Sequence, residues 1–207
     1  MHEAVFLVDD DPAVRDGICD LLDSAEIRTR CFSSAEEFLD ALDPGMAGCI
    51  LLDVRLPGMS GTELQARLLE KGVALPIIIM TAHGDIPMVR KVLKAGALEF
   101  LTKPFADQEL LDSVQQAFER YRAGRRNEDA VHSILERMRS LTEREMQVLE
   151  LVTEGLTNKE IGQKLHLSLV TIKFYRGQVM RKMQAESFAD LVKMWQRAHP
   201  AETHKDA

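Results

Sequence analysis

The chain has 207 residues, of which 45% are hydrophobic and 29% charged, enough for one or two domains that each bury a core. No apolar run is long enough for a membrane helix and no secretory leader pattern is present, so a soluble, cytoplasmic protein is expected. The net charge of −7 is unevenly shared, with 12 basic and 21 acidic residues in 1–124 against 14 and 12 in 125–207. Halves of opposite sign imply two domains with different partners. Cys19, Cys31 and Cys49 show no CxxC spacing and the six histidines no HxxxH pair. The cysteines therefore read as reduced core residues, and zinc and a disulfide framework are not expected.

The first half alternates short apolar runs with amphipathic stretches. Strands are expected at Val5–Val8, Arg28–Phe32, Cys49–Leu52, Pro76–Met80 and Glu99–Leu101, and helices at Pro12–Ala25, Ser34–Leu42, Thr62–Lys71, Ile86–Ala95 and Asp107–Tyr121. Strict alternation argues for a doubly wound α/β fold, a five-stranded parallel sheet with helices on both faces. The first strand delivers three carboxylates, Asp9, Asp10 and Asp11. Asp11 precedes Pro12 and a helical pattern, and so reads as an N-cap. Asp9 and Asp10 are either a solvated acidic turn or the partners of something positive.

Doubly wound sheets bind ligands outside the carboxyl ends of their strands. Asp53 ends the third strand ("CILLDVRLPGMSG"), Thr81 the fourth ("IIIMTAHGD") and Lys103 the fifth ("EFLTKPF"), so Asp9, Asp10, Asp53, Thr81 and Lys103 should share one rim. These motifs, in this order and spacing over residues 3–121, resemble the receiver domain of bacterial two-component response regulators, whose fold is flavodoxin-like. The resemblance implies that Asp53 is the phosphoacceptor, served by a sensor histidine kinase. It implies a Mg²⁺ ion held by Asp9, Asp10, Asp53 and the backbone carbonyl of Arg55. Lys103 would pair with phosphoryl oxygens, Thr81 would hydrogen-bond to one, and Thr81 with Phe100 would form the switch. Kinase contact would use Ala13, Val14 and Gly17 with Pro104 and Phe105. A receiver is expected over 1–122.

Next comes the charged segment "RRNEDAVHSILERMRS", with Val131, Ile134, Leu135 and Met138 on one helical face. It reads as a helical linker over 123–140, either a spacer continuing the fifth helix or a coiled-coil or interdomain contact. From Leu141 the pattern changes to short helices with capping signals, Thr142 with Glu145 and Thr157 with Glu160. Ser168 and Ser187 open two more helices. Between Leu169 and Gln184 stand Lys173, Arg176, Arg181 and Lys182 and no acidic residue. Ile172, Val179 and Met183 share an inward face, with Val170, Lys173, Phe174, Gly177 and Arg181 roughly opposite, the layout of a helix between a core and nucleic acid.

"LTEREMQVLELVTEGLTNKEIGQKLHLSLVTIKFYRGQVMRKM" resembles the LuxR-type helix-turn-helix, covering residues 141–195. It departs from the usual pattern at Gly162, where Ala is common, and at Tyr175, where His is frequent. A small all-α DNA-binding domain is expected over 141–198, followed by a disordered tail at 199–207. Lys173, Phe174 and Gly177 would face base edges, while Thr171, Arg176, Arg181 and Lys182 would be divided between phosphates and neighbouring bases.

Together the resemblances describe a bacterial, cytoplasmic response regulator of the FixJ/NarL type. It would be no ordinary enzyme, at most promoting its own phosphorylation and dephosphorylation. Its expected partners are a sensor histidine kinase, double-stranded promoter DNA, a second copy of itself once phosphorylated, and RNA polymerase as a further candidate; no membrane is expected. A haloacid-dehalogenase-type phosphohydrolase would need a second Asp where Arg55 stands. A LuxR-type sensor of an acyl signal would need an aromatic-lined cavity, and the first half holds one Tyr and no Trp. A DNA binder indifferent to phosphorylation remains open.

Overall fold

A computed structural model describes residues 3–82 and 86–200. The chain divides into two compact units, Met1–Arg125 and Arg126–Ala207.

In the first unit β1 (Ala4–Val8), β2 (Thr29–Phe32), β3 (Gly48–Asp53), β4 (Ile77–Thr81) and β5 (Glu99–Thr102) form one sheet, ordered β2-β1-β3-β4-β5. Every pairing is parallel. The strands read as continuous apolar runs because β1, β3 and β4 are buried throughout, as a sheet covered on both faces requires. Alternate residues serve opposite sides. Phe6, Val8, Ile50, Leu52 and Ile79 pack with residues of α2 (Ala35–Asp40), α3 (Gly61–Glu70) and α4 (Ile86–Lys94), among them Phe38, Leu64 and Val92. Val5, Leu7, Leu51, Ile78 and Met80 pack instead with Ile18 and Leu22 of α1 (Pro12–Ser24) and with Leu110 and Val114 of α5 (Asp107–Arg139).

The helix starts follow their side chains. Asp11 caps α1, accepting from the Ala13 amide at 2.9 Å. Ser60 and Glu63 form a reciprocal capping box at α3. Gly61, the first residue of α3, lies so close to the end of β3 that a Cβ there would stand 2.1 Å from the Asp53 carbonyl oxygen. Only glycine lets α3 begin there, and its amide donates to the Val54 carbonyl at 3.0 Å.

The helix expected to end at Tyr121 does not end there. α5 spans 33 residues, Asp107–Arg139, so the charged segment continues the fifth helix, the first of its two expected readings, because no proline or capping signal interrupts 122–139 and Gly124 alone is a weak breaker. Ile134 and Met138 at its end are buried in the core of the second unit. That unit continues with α6 (Glu143–Thr153), α7 (Asn158–Leu165), α8 (Leu169–Met183) and α9 (Phe188–Ala198). Both expected capping boxes are formed, Thr142 with Glu145 and Thr157 with Glu160. Val148, Leu149, Ile161, Ile172, Val179, Met183 and Leu191 make its core. α7 ends at left-handed His166 (φ 56°), Leu167 donates back to the Gly162 carbonyl at 2.9 Å, and Ser168 caps α8. This is a three-residue helix-turn-helix connection.

The cysteines depart from the expectation of three core residues. Cys49 is buried, Cys19 half-buried and Cys31 exposed, because β2 lies at the sheet edge. From residue 201 the tail expected to be disordered lies outside the described residues, as do His83, Gly84 and Asp85 of the "TAHGD" motif.

Candidate functional site

The strand order reverses between β1 and β3, and that crevice is where the acidic residues meet. Asp9 follows β1 and Asp53 ends β3. Lys103, one residue beyond β5, reaches across both. Its Nζ lies 2.5 Å from Asp9 Oδ2 and 2.8 Å from Asp53 Oδ1. The Asp9 side chain is 1% exposed and that of Asp53 9%, against 18% for Lys103. The other carboxylate oxygens are also satisfied. Asp9 Oδ1 accepts from the Asp11 amide at 3.0 Å and Asp53 Oδ2 from the Arg55 amide at 2.7 Å.

Burial pushes the Asp53 carboxyl above its ordinary value, and the Asp9 charge adds to that, against the opposing pull of Lys103 and the Arg55 amide. Burial alone would lower the Lys103 ammonium, but hydrogen bonds and charge from Asp53 and Asp9 outweigh it and the net direction is upward. The lysine is therefore a firm cation held between the two carboxylates.

The remaining expected members lie around this trio. Thr81 is buried at the end of β4, and its backbone carbonyl accepts from the Lys103 amide at 2.8 Å, which locks the two strand ends together. Phe100 is half-buried and packs on the core face shared with α4. Asp10 and Arg55 are exposed beside the crevice, Arg55 contributing its amide to Asp53. Among the described residues no three His, Cys, Asp or Glu side chains gather closely enough to hold a metal, since Lys103 stands between Asp9 and Asp53. The carboxylates at the crevice, Asp9, Asp10 and Asp53, offer the oxygen donors that a hard cation takes.

Two supporting residues escaped sequence reasoning. Arg15 Nη1 donates to the Asp9 carbonyl at 2.7 Å, holding the end of β1 from the first turns of α1. Glu36 on α2 accepts from the Met59 amide at 3.1 Å and so anchors the loop after β3. Arg15 stands four residues after the N-cap, a spacing that could have been noticed; nothing in the sequence announces Glu36.

In the second unit α8 has the two faces expected. Ile172, Val179 and Met183 are buried, whereas Val170 is 78% and Phe174 60% exposed. Lys173, Gly177 and Arg181 are exposed with them. The Arg181 guanidinium bonds to Gln178, one turn back on the same helix. Thr171 is half-buried at the start of α8, where its amide and hydroxyl both bond to Ser168.

Two more of the expected contact residues are engaged, these with elements other than α8. Lys182 Nζ lies 2.6 Å from Glu145 Oε2 and donates to the Ser140 carbonyl at 3.2 Å. Position in α8 explains this: one residue past the exposed Arg181, Lys182 turns toward α6. Arg176 Nη1 donates to Asn158 Oδ1 at 2.7 Å, and its guanidinium sits 5.5 Å from the centre of the Phe188 ring. Arg176 thus ties α8 to both α7 and α9.

The comparisons with known proteins fall on the same two units. The family model for the response regulator receiver domain matches residues 5–115, and that for bacterial regulatory proteins of the luxR family matches 139–195. Nodulation protein W of Bradyrhizobium diazoefficiens is 44% identical over 92% of this chain and 84% of its own length. The transcriptional regulatory protein FixJ of the same organism is 42% identical over 94% of this chain and 95% of its own. Among solved structures, the response regulator StyR matches with a TM-score of 0.80 and 42% identity, covering 95% of this chain and all of that one. With an acid-lined crevice at the sheet's switch point and a helix-turn-helix carried on the same chain, this protein belongs to the two-component response regulators that regulate transcription through a LuxR-type DNA-binding domain.

Proposed function

We propose that Asp53 accepts a phosphoryl group from a sensor histidine kinase in a Mg²⁺-dependent reaction, and that the phosphorylated protein pairs and binds promoter DNA. One observation carries the reading: the Lys103 ammonium bridges Asp53 and Asp9 in a buried crevice, which leaves a carboxylate nucleophile beside a fixed positive charge. An Asp53 oxygen attacks phosphorus, the bond from phosphorus to the donor's imidazole nitrogen breaks, and an acyl phosphate forms. Lys103 holds the new phosphoryl oxygens and the Thr81 hydroxyl donates to one of them. Asp9, Asp10, Asp53 and the Arg55 carbonyl are the residues that would hold Mg²⁺, whose chemistry is to offset negative charge between carboxylate and phosphoryl group. Phe100, on the core face beside α4, would report the change to the surface.

That surface has a charge pattern suited to self-pairing. α4 exposes Arg90, Lys91 and Lys94, and the first turns of α5 expose Asp107, Glu109 and Asp112. A twofold pairing sets the cations of one copy against the anions of the other. Two helix-turn-helix units on one dimer gain ~10²–10⁴ in affinity over one when both half-sites are engaged. On each, Val170, Lys173, Phe174 and Gly177 would face the bases, Arg181 a phosphate.

The test is acetyl phosphate labelling read by intact mass, with and without Mg²⁺, alongside sedimentation with a beryllofluoride phosphate mimic. Labelling should require Mg²⁺, vanish in Asp53→Asn and accompany a shift from monomer to dimer. Undiminished labelling of Asp53→Asn would overturn the assignment. A protein that stays monomeric yet gains DNA affinity would replace dimerisation by release of an inhibitory contact.

A further inference from the structure

We propose that Cys19 and Cys31 are a reactive dithiol, a site at which a small-molecule disulfide closes an intramolecular bond between α1 and the edge strand β2. Strand alternation decides which way Cys31 faces. Its neighbours Arg30 and Phe32 bracket it: Phe32 is buried in the α2-side core, and the Arg30 guanidinium lies 5.8 Å from the Phe6 ring centre and 5.6 Å from that of Phe32. Phe32, next in the strand, takes the α2 face, so Cys31 takes the opposite one, where α1 packs. The register agrees, because Cys31 pairs with Leu7 and Leu7 belongs to the same core cluster against which Cys19 packs. Both thiols therefore lie on the α1 side of the sheet, where each feels the other electrostatically.

Access orders the chemistry. Cys31 is exposed at the sheet edge, Cys19 is half-buried behind it and Cys49 is fully buried. Burial, the hydrogen bond and charge of Cys31, and the nearby Asp23 and Asp16 push the Cys19 thiol up to about 12. Cys31, exposed at the edge, is the sulfur that meets the reagent, while Cys19 behind it holds its proton. The Cys31 thiolate attacks one sulfur of a disulfide such as oxidised glutathione, forming a mixed disulfide and releasing one glutathione thiolate. Cys19 gives up its proton and attacks the Cys31 sulfur, forming the Cys19–Cys31 bond and releasing the second glutathione. The protein loses two hydrogens and the oxidant becomes two thiols, so electrons balance. Burial pushes the Cys49 thiol up to about 12 as well, which makes it an internal control.

The full-length, folded protein is reduced, exposed to oxidised glutathione, quenched by alkylation and mapped by mass spectrometry under non-reducing conditions. The expected product is a Cys19–Cys31 linked peptide lighter by two hydrogens, with Cys49 untouched. In Cys19→Ser, Cys31 should carry one glutathione and keep it. In Cys31→Ser, Cys19 should stay unmodified under the same conditions. Glutathione on both cysteines without a link, a covalent dimer through Cys31, or a link that forms only in denaturant would each overturn the proposal.

Discussion

Lys103 and Asp53 stand in a pairing in which one charge makes another's burial tolerable, Nζ to Oδ1 at 2.8 Å, with Asp9 sharing the same ammonium. Lys103→Met would leave two buried carboxylates facing each other without a counter-charge. Breaking a buried pair from one side typically costs about 3 kcal/mol or more, so a loss near that size is expected in urea unfolding of the receiver. Adding Asp53→Asn to Lys103→Met removes one of the stranded charges and should restore part of the loss. A double variant no more stable than Lys103→Met would show that Asp53 bears none of that strain.

The acidic triplet should divide by role. Asp11 is the N-cap of α1 and its carboxylate accepts from Ala13, whereas Asp10 is exposed at the crevice. Asp11→Asn should cost at most about 1 kcal/mol, because Asn caps as well as Asp, and should largely spare Mg²⁺ binding. Asp10→Asn should weaken Mg²⁺ binding sharply with little effect on stability. Calorimetric titration of both variants checks the division, and equal losses would refute it.

Glu145 joins two jobs, closing the capping box of α6 and holding Lys182 at 2.6 Å. Burial pushes its carboxyl up, but the Lys182 hydrogen bond, with those from Thr142 and the Lys182 charge, outweighs this and the net direction is downward from 4.5. A lowered acid stabilises the fold above its unfolded value and loses that contribution as pH falls through its folded value. Thermal melts of the helix-turn-helix unit should therefore weaken below about pH 4.5, and Glu145→Gln should flatten that part of the profile. At neutral pH Glu145→Ala should cost about 2 kcal/mol, combining a lost cap with a lost, partly buried ion pair.

At Gly162 the fold opposes what helix propensity favours. By helix propensity alone Gly162→Ala should gain about 1 kcal/mol. A Cβ there, however, would stand 2.8 Å from the Leu167 carbonyl oxygen and 3.7 Å from Ile172 Cγ1, at the turn that sets α8 against α7. The gain should fall well short of the propensity value, and a denaturation midpoint shifted by the full amount would show that the turn yields freely.

The alternation of five strands with helices in the first unit, and the helix starts of the second, were legible in sequence because local signals there agree with tertiary demands. Double burial of β1, β3 and β4 produces unbroken apolar runs, and each capping serine, threonine or aspartate marks a helix start that the backbone then adopts. Asp9, Asp53 and Lys103 could be placed on one rim because parallel strands all present their carboxyl ends to the same side. What the residues by themselves could not determine are contacts between elements far apart in the chain. The period of α8 puts Lys182 near a basic surface, yet its ammonium goes to Glu145, 37 residues earlier, because the α6–α8 packing brings that carboxylate within reach. Arg176 is drawn to Asn158 and Phe188 for the same reason. Cys19 and Cys31 look unrelated in spacing and come to one face of the sheet only when α1 packs over it. Composition and periodicity act through the nearest few residues, whereas the partner of a long charged side chain or a thiol depends on which distant element packs beside it.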